Sequence, residues 1–262
     1  MNPTHYLRDT RQRHVLLDKE RAVLTAPLDT VVATADGAAH LGVLITLIDV
    51  IASDPAMASA PEDWMATRDL ALHSSAPLTR GPIVVDVRLS RSGSTGVVVD
   101  ADIYDGAGEE DLHVLAAAID AGTLRHAATG LITFARITRS AAPGMADYRP
   151  GDWVGEIRAV DNHSTEPGPI YDRLGARTVG PGVLELDCSP YVVNSIGTIT
   201  GGAQAALVEM AACSVVPGQV VVDMQMHFLA QLRSGPMRTS CRVVRRAAPS
   251  PPRRSRSRTA TH

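Results

Sequence analysis

Residues 34–49 read TADGAAHLGVLITLID, and residues 194–209 read NSIGTITGGAQAALVE. At a constant spacing of 160 they align Gly37 with Gly197, His40 with Thr200, Gly42 with Gly202 and Asp49 with Glu209. The match extends upstream without a gap, setting VLTAPLDTVVAT (23–34) above VLELDCSPYVVN (183–194). It resumes downstream at a spacing of 154, where TRDLALH (67–73) meets VVDMQMH (221–227) and Arg80-Gly81-Pro82 meets Ser234-Gly235-Pro236. Two blocks in the same order, with one change of spacing between them, mark the chain as two diverged copies of one unit laid head to tail.

Each copy reads as strand, turn, helix, loop, strand. Around Leu184 and Leu186 apolar and polar residues alternate; GTITGG breaks the alternation and AQAALVEMAACSV continues with helix formers. In the first copy LGVLITLIDVIAS is apolar nearly all round, so the helix must be buried on most sides. The six extra residues of the first copy fall in DPAMASAPEDW, expected to be a surface loop. Strands follow at 69–73, 84–90, 97–105 and 128–137, with a short amphipathic helix over 109–121. One buried helix per unit, wrapped by antiparallel strands, is an α+β layer architecture. The expected division is a first unit over 1–143, a second over 144–245, and a tail over 246–262.

Composition narrows the function classes. The net charge of −3 conceals five arginines and no acid within 246–262, which leaves about −8 for the rest of the chain. An acidic body is a poor nucleic-acid footprint, so nucleic acid is not expected as the main partner. Cys188, Cys213 and Cys241 are odd in number and widely spaced, with no zinc-site pattern, so no metal is expected. The charged N-terminus and the lack of a long apolar run point to a cytoplasmic protein without a membrane span.

The stretch 194–209 also resembles a known family. An amide residue (Asn194), a following glycine (Gly197), a Thr-Gly-Gly helix start (200–202) and a carboxylate (Glu209) are similar to the PaaI and 4-hydroxybenzoyl-CoA branch of the hotdog thioesterases. That resemblance implies a tandem double hotdog that hydrolyses acyl-CoA or another acyl thioester and needs no dissociable cofactor. It makes Asn194 the residue that orients the thioester or a water, Gly201 N–H an oxyanion donor, and Glu209 the base or nucleophile. The matching positions in the first copy are Thr34, Leu41 and Asp49, and His40 keeps the family histidine that Thr200 replaces. Thr200, Gly202, Ser53 and Cys213 join Thr34 and His40 as substrate-binding candidates.

Helix geometry decides how these parts combine. Gly201 and Glu209 are eight residues apart, roughly 12 Å along one helix at ~1.5 Å per residue, so no single thioester carbon reaches both. The carboxylate must come from the other copy. Antiparallel helices, as in hotdog dimers, give two composite sites: Asn194 and Gly201 with Asp49, and Thr34, His40 and Leu41 with Glu209. The first keeps the small glycine that close backbone approach requires and is the favoured one. His73 and His227 occupy matching strand positions and are read as shared packing.

The second copy stops short. After RVVRRA it runs into AAPSPPRRSRSRTATH, and the counterpart of residues 92–137 is missing, which reads as a truncation or frameshift. A non-catalytic acyl-thioester binding or scaffold protein is therefore the alternative reading, and a hotdog hydratase a weaker one. Further association into homo-oligomers is compatible with the unpaired sheet edge.

Overall fold

A computed structural model of the chain describes residues 5–140, 145–160 and 168–246. The first half comprises α1 (Tyr6–Asp9), β1 (Arg13–Asp18), β2 (Arg21–Ala26), α2 (Leu41–Ser59), β3 (Asp63–Ser74), β4 (Ile83–Ser92), β5 (Gly96–Asp105), α3 (Leu112–Asp120) and β6 (Arg125–Thr138). Then come β7 (Ile157–Ala159), α4 (Ile170–Arg173), β8 (Arg177–Gly180), β9 (Val183–Leu186), α5 (Gly201–Val215), β10 (Asp223–His227) and β11 (Met237–Arg238). The result is an α+β fold with a long central helix against an antiparallel sheet.

Eight strands form that sheet in the order β10-β3-β6-β5-β4-β2-β1-β7. Helix α2 lies across one face and buries Ile45, Leu47, Ile48 and Ile51 completely. Each such side chain contributes about 1.5–3 kcal/mol of transfer free energy. Helix α2 also has the length and mean hydropathy (1.7) of a membrane-crossing helix, but 78% of that window is buried inside this fold. Helix α3 covers the opposite face through Leu112, Leu115 and Ile119 packed on Val15, Val23 and Val84. Asp111 starts it by accepting the N–H groups of His113 and Val114.

The expected loop at DPAMASAPEDW is corrected. Helix α2 continues to Ser59 with Pro55 inside it, because Asp54, Pro55, Ala56 and Met57 are buried against neighbouring elements. The ring removes one backbone donor in the final turns, a loss that the packing offsets.

The two halves repeat each other's hydrogen bonds at the spacings read from the sequence. Thr34 N–H donates to Ala38 O and Asn194 N–H to Thr198 O; His40 N–H donates to Val32 O and Thr200 N–H to Val192 O. Gly37 and Gly197 both hold positive φ, 78° and 76°, in the turn before the helix. Strands β3 and β10 pair antiparallel with Asp69 opposite His227, Ala71 opposite Gln225 and His73 opposite Asp223, so the spacing of 154 maps each outer pair onto the other. His73 and His227 are thereby explained: their Nδ1 atoms lie 2.7 Å from Asp223 and 2.6 Å from Asp69, across the join.

Other parts of the halves are exchanged. Tyr6 N–H of α1 donates to Tyr191 O, and Ile170 N–H of α4 donates to Val31 O, so each short helix docks on the other half's loop. Strand β7 pairs with β1. The expected boundary at 143/144 lies outside the described residues, as does most of the 246–262 tail. Among the described residues the second half forms the three-stranded sheet β11-β9-β8, adds β7 and β10 to the edges of the larger sheet, and has no counterpart of β5 or β6. The outer face of α5, including Val208 and Met210, is consequently only half-buried.

Candidate active site

Helices α2 and α5 cross antiparallel at their glycines. A Cβ on Gly42 would lie 2.8 Å from the Ala206 backbone, and one on Gly202 would lie 2.7 Å from Thr46 Cβ. Only glycine permits this approach, and it brings the N-terminus of each helix to the middle of the other. Asp49 of α2 thus meets the start of α5, and Glu209 of α5 meets the start of α2. From this point the two crossings differ.

At the first crossing a cavity of about 210 Å³ opens between the halves. Asp49, Ser53, Asn194 and Gly201 line it. Asp49 Oδ2 lies 2.9 Å from where a Cβ on Gly201 would stand. Its other oxygen, Oδ1, accepts the Thr67 hydroxyl at 2.5 Å. Burial pushes the Asp49 carboxyl up to about 6, with the Thr67 bond pulling the other way. The Gly201 and Gly202 N–H groups have no hydrogen-bond partner among the described residues. They are the free amides at the positive end of a helix of 15 residues. Asn194 Oδ1 accepts from Ile196 N–H, Thr198 N–H and the Thr198 hydroxyl, each at 3.1 Å. These donors fix the orientation of the amide, so its NH₂ group is the end left for a ligand. Both phenylalanines of the chain, Phe134 and Phe228, and one of its two tryptophans, Trp64, wall the same cavity.

At the second crossing the carboxylate is already engaged. Glu209 Oε2 accepts Gly42 N–H at 2.7 Å and the Tyr171 hydroxyl at 2.5 Å. Oε1 accepts Leu41 N–H at 3.3 Å and lies 3.3 Å from His40 Nδ1. Burial opposes ionisation, yet the bonds from His40, Tyr171 and Gly42 hold this carboxyl below its usual range. The His40 ring stacks on Tyr171 with centroids 4.0 Å apart. Glu209 therefore occupies the amides that an oxyanion would need. A neighbouring cavity of about 400 Å³ is lined by Thr34, Leu41, Leu44, Leu78, Val221 and Glu209.

Four of the substrate-binding candidates, His40, Thr200, Gly202 and Cys213, line neither cavity. Thr200 caps α5, its hydroxyl accepting Ala203 N–H at 3.2 Å. Gly202 is consumed by the helix crossing. Cys213 lies farther along α5, where its sulfur reaches Gln219 O at 3.7 Å. Ser53 does line the first cavity, although its hydroxyl donates back to Val50 O at 2.7 Å. Residues that the sequence reading missed are Thr67, Tyr171 and Phe228. Tyr171 comes from a segment with no repeat signal, whereas Thr67 opens a block that matched and Phe228 stands one residue past the matching block of the other half. Among the described residues no cluster of three or more His, Cys, Asp or Glu is placed to hold a metal ion.

Comparison with known proteins agrees with the family resemblance. Residues 36–111 match the family model of the thioesterase superfamily. A Saccharolobus solfataricus protein provisionally named an esterase is 27% identical over 93 residues, covering 36% of this chain and 66% of that protein. The match thus falls just short of two thirds of that relative's length. A Silicibacter pomeroyi thioesterase family protein aligns at 19% identity over 49% of this chain and 86% of its own, with a TM-score of 0.42. A Streptococcus mutans protein solved with acetyl CoA aligns at 17% identity over 48% of this chain and 87% of its own, with a TM-score of 0.38. These two structural likenesses are too distant to carry weight about function. Residues 36–111, which include His40, Asp49 and Thr67, are thus the part of the chain that is similar to the thioesterase superfamily.

Proposed function

We propose that the chain is a tandem double hotdog, with units over 1–143 and 144–245, that hydrolyses an acyl thioester such as an acyl-CoA to a carboxylic acid and a free thiol at the Asp49 crossing. The observation that carries this reading is Asp49 Oδ2, 2.9 Å from the Cβ position of Gly201, beside two unpartnered helix-end amides. A thioester carbonyl oxygen placed on the Gly201 N–H group gains charge as the carbon becomes tetrahedral, and the fixed amide at the positive helix end stabilises it. Asp49 then either takes a proton from an attacking water or attacks the carbonyl carbon itself; the thiolate departs and takes up a proton, and in the second case water hydrolyses the resulting anhydride to release the acid and restore Asp49. A carboxyl titrating at about 6 is ionised at neutral pH and close enough to it to accept a proton. The Asn194 NH₂ group orients the thioester from the loop that precedes α5. Glu209, with both oxygens engaged, serves as the N-terminal cap of α2 and not as a second catalyst.

Among the described residues no cationic side chain lines the cavity and Asp49 is its one carboxylate, so an uncharged acyl group is favoured over one ending in a second carboxylate. The test is thiol release from a panel of neutral and carboxylated acyl-CoAs, followed with a thiol-detecting reagent. Release from the neutral members that is lost in Asp49→Asn supports the reading. Saturable binding without release from any member would favour the non-catalytic alternative.

A further inference from the structure

Strand β3 changes parity in its middle. Met65 faces the core before the change and Leu70 and Leu72 face it afterwards, so the inward residues switch from odd to even. The switch falls between Thr67 and Asp69, which pair with Phe134 and Thr133 of β6 and leave Arg68 as an extra residue. Such a bulge re-aims side chains. Here it keeps Thr67 on the helix-facing side with Met65 while Asp69 stays on the outer side, free for its pair with His227. The Arg68 carbonyl in turn accepts Phe228 N–H at 2.8 Å. That bond carries the Phe228 ring to 3.1 Å from the Cβ position of Gly201. One bulge thus places a hydroxyl on Asp49 and an aromatic wall over the start of α5.

The repeat supplies an internal comparison. At the spacing of 154 the counterpart of Thr67 is Val221, which has no donor and lines the cavity where Glu209 caps α2. A side-chain donor from this strand position is present at the crossing with free amides and absent at the crossing whose amides are filled.

We propose, resting on the hydrolase reading above, that Thr67 is a positioning residue whose hydroxyl pins one oxygen of Asp49 so that the other faces the thioester at the start of α5. It acts through Asp49 and takes no part in bond making. Because its bond favours the charged carboxylate, removing it raises the Asp49 titration point.

Thr67→Val keeps the shape and deletes the donor, whereas Thr67→Ser keeps the donor and deletes the methyl. Thr67→Val is expected to lower kcat about tenfold or more, the scale of one hydrogen bond to a charged group, with KM little changed. The acid limb of its kcat/KM profile moves to higher pH, while Thr67→Ser stays within about threefold of the parent. The Asp49 carboxyl, followed by ¹³C NMR without substrate, titrates higher in Thr67→Val and unchanged in Thr67→Ser. An unchanged Asp49 titration in Thr67→Val, or equal losses in both variants, overturns the proposal. If the parent releases no thiol from any acyl thioester, the hydrolase reading fails and the NMR titration alone decides whether Thr67 governs Asp49. Should Thr67→Val not fold, Thr67→Ala deletes the same donor without adding bulk.

Discussion

Replacing Asp49 by asparagine should make the protein more stable while it silences the site. Burial raises this carboxyl from 3.8 to about 6. The difference of about two units corresponds to ~3 kcal/mol at ~1.36 kcal/mol per unit. Asp49 is only half-buried and water in the cavity screens it, so the realised effect is about 1–2 kcal/mol. The sign follows from an acid whose folded value is raised. Below the unfolded value the group is protonated in both states and costs nothing. As pH climbs toward the folded value the unfolded chain ionises first and stability is lost, and above it the deficit stays constant. Asparagine has the same shape, still accepts the Thr67 hydroxyl and carries no charge. Urea denaturation should therefore find Asp49→Asn equal to the parent near about pH 3.5 and more stable by about 1–2 kcal/mol near about pH 7.5. A variant less stable than the parent near neutrality, or a difference independent of pH, would refute the reasoning.

Two adjacent glycines should separate activity from folding. A methyl on Gly201 would stand 2.9 Å from Asp49 Oδ2 and 3.1 Å from the Phe228 ring, inside the cavity. Gly201→Ala should cost about 100-fold in thiol release and less than about 1 kcal/mol of stability. Gly202→Ala drives its methyl into Thr46 at the helix crossing, and the melting transition should reveal a loss of about 2–3 kcal/mol. A third prediction concerns Asp54, which is 1% exposed, accepts the Tyr148 hydroxyl, and is pushed by burial up to about 7. Its raised value means that stability falls as pH rises from the unfolded value toward 7. Thermal melts of Asp54→Asn should show a gain that is largest above about pH 7 and absent near about pH 3.5. His14, 3.4 Å away and lowered to about 4 by burial, keeps the pair neutral between those limits.

The repeated pattern was legible because it falls on residues that backbone geometry depends on: the positive-φ glycines 37 and 197, the crossing glycines 42 and 202, and the carboxylates one helix midpoint away. Helix rise, together with the antiparallel helix packing that the family resemblance implies, was enough to pair Asp49 with Gly201. The inequality of the crossings was less legible. Leu41 in place of Gly201 hinted at it, but the decisive contact is made by Tyr171, in a short helix whose exchanged docking leaves no periodic signature. Thr67 was hidden for a related reason, since a bulge breaks the period-two pattern that would have marked it as inward-facing. Pro55 misled the reading of the α2 terminus because local propensity argued for a loop and burial of Asp54 to Met57 overrode it.

The central claim is that the two crossings have parted, with Asp49 left for chemistry and Glu209 for structure. The most direct measurement is kcat for thiol release in Asp49→Asn and Glu209→Gln, compared at a temperature where both are folded. Asp49→Asn should lose at least about 100-fold. Glu209→Gln should stay within about threefold of the parent despite a fold weakened by about 3–5 kcal/mol, because it breaks a buried charge network. Activity retained in Asp49→Asn and abolished in folded Glu209→Gln would contradict the account.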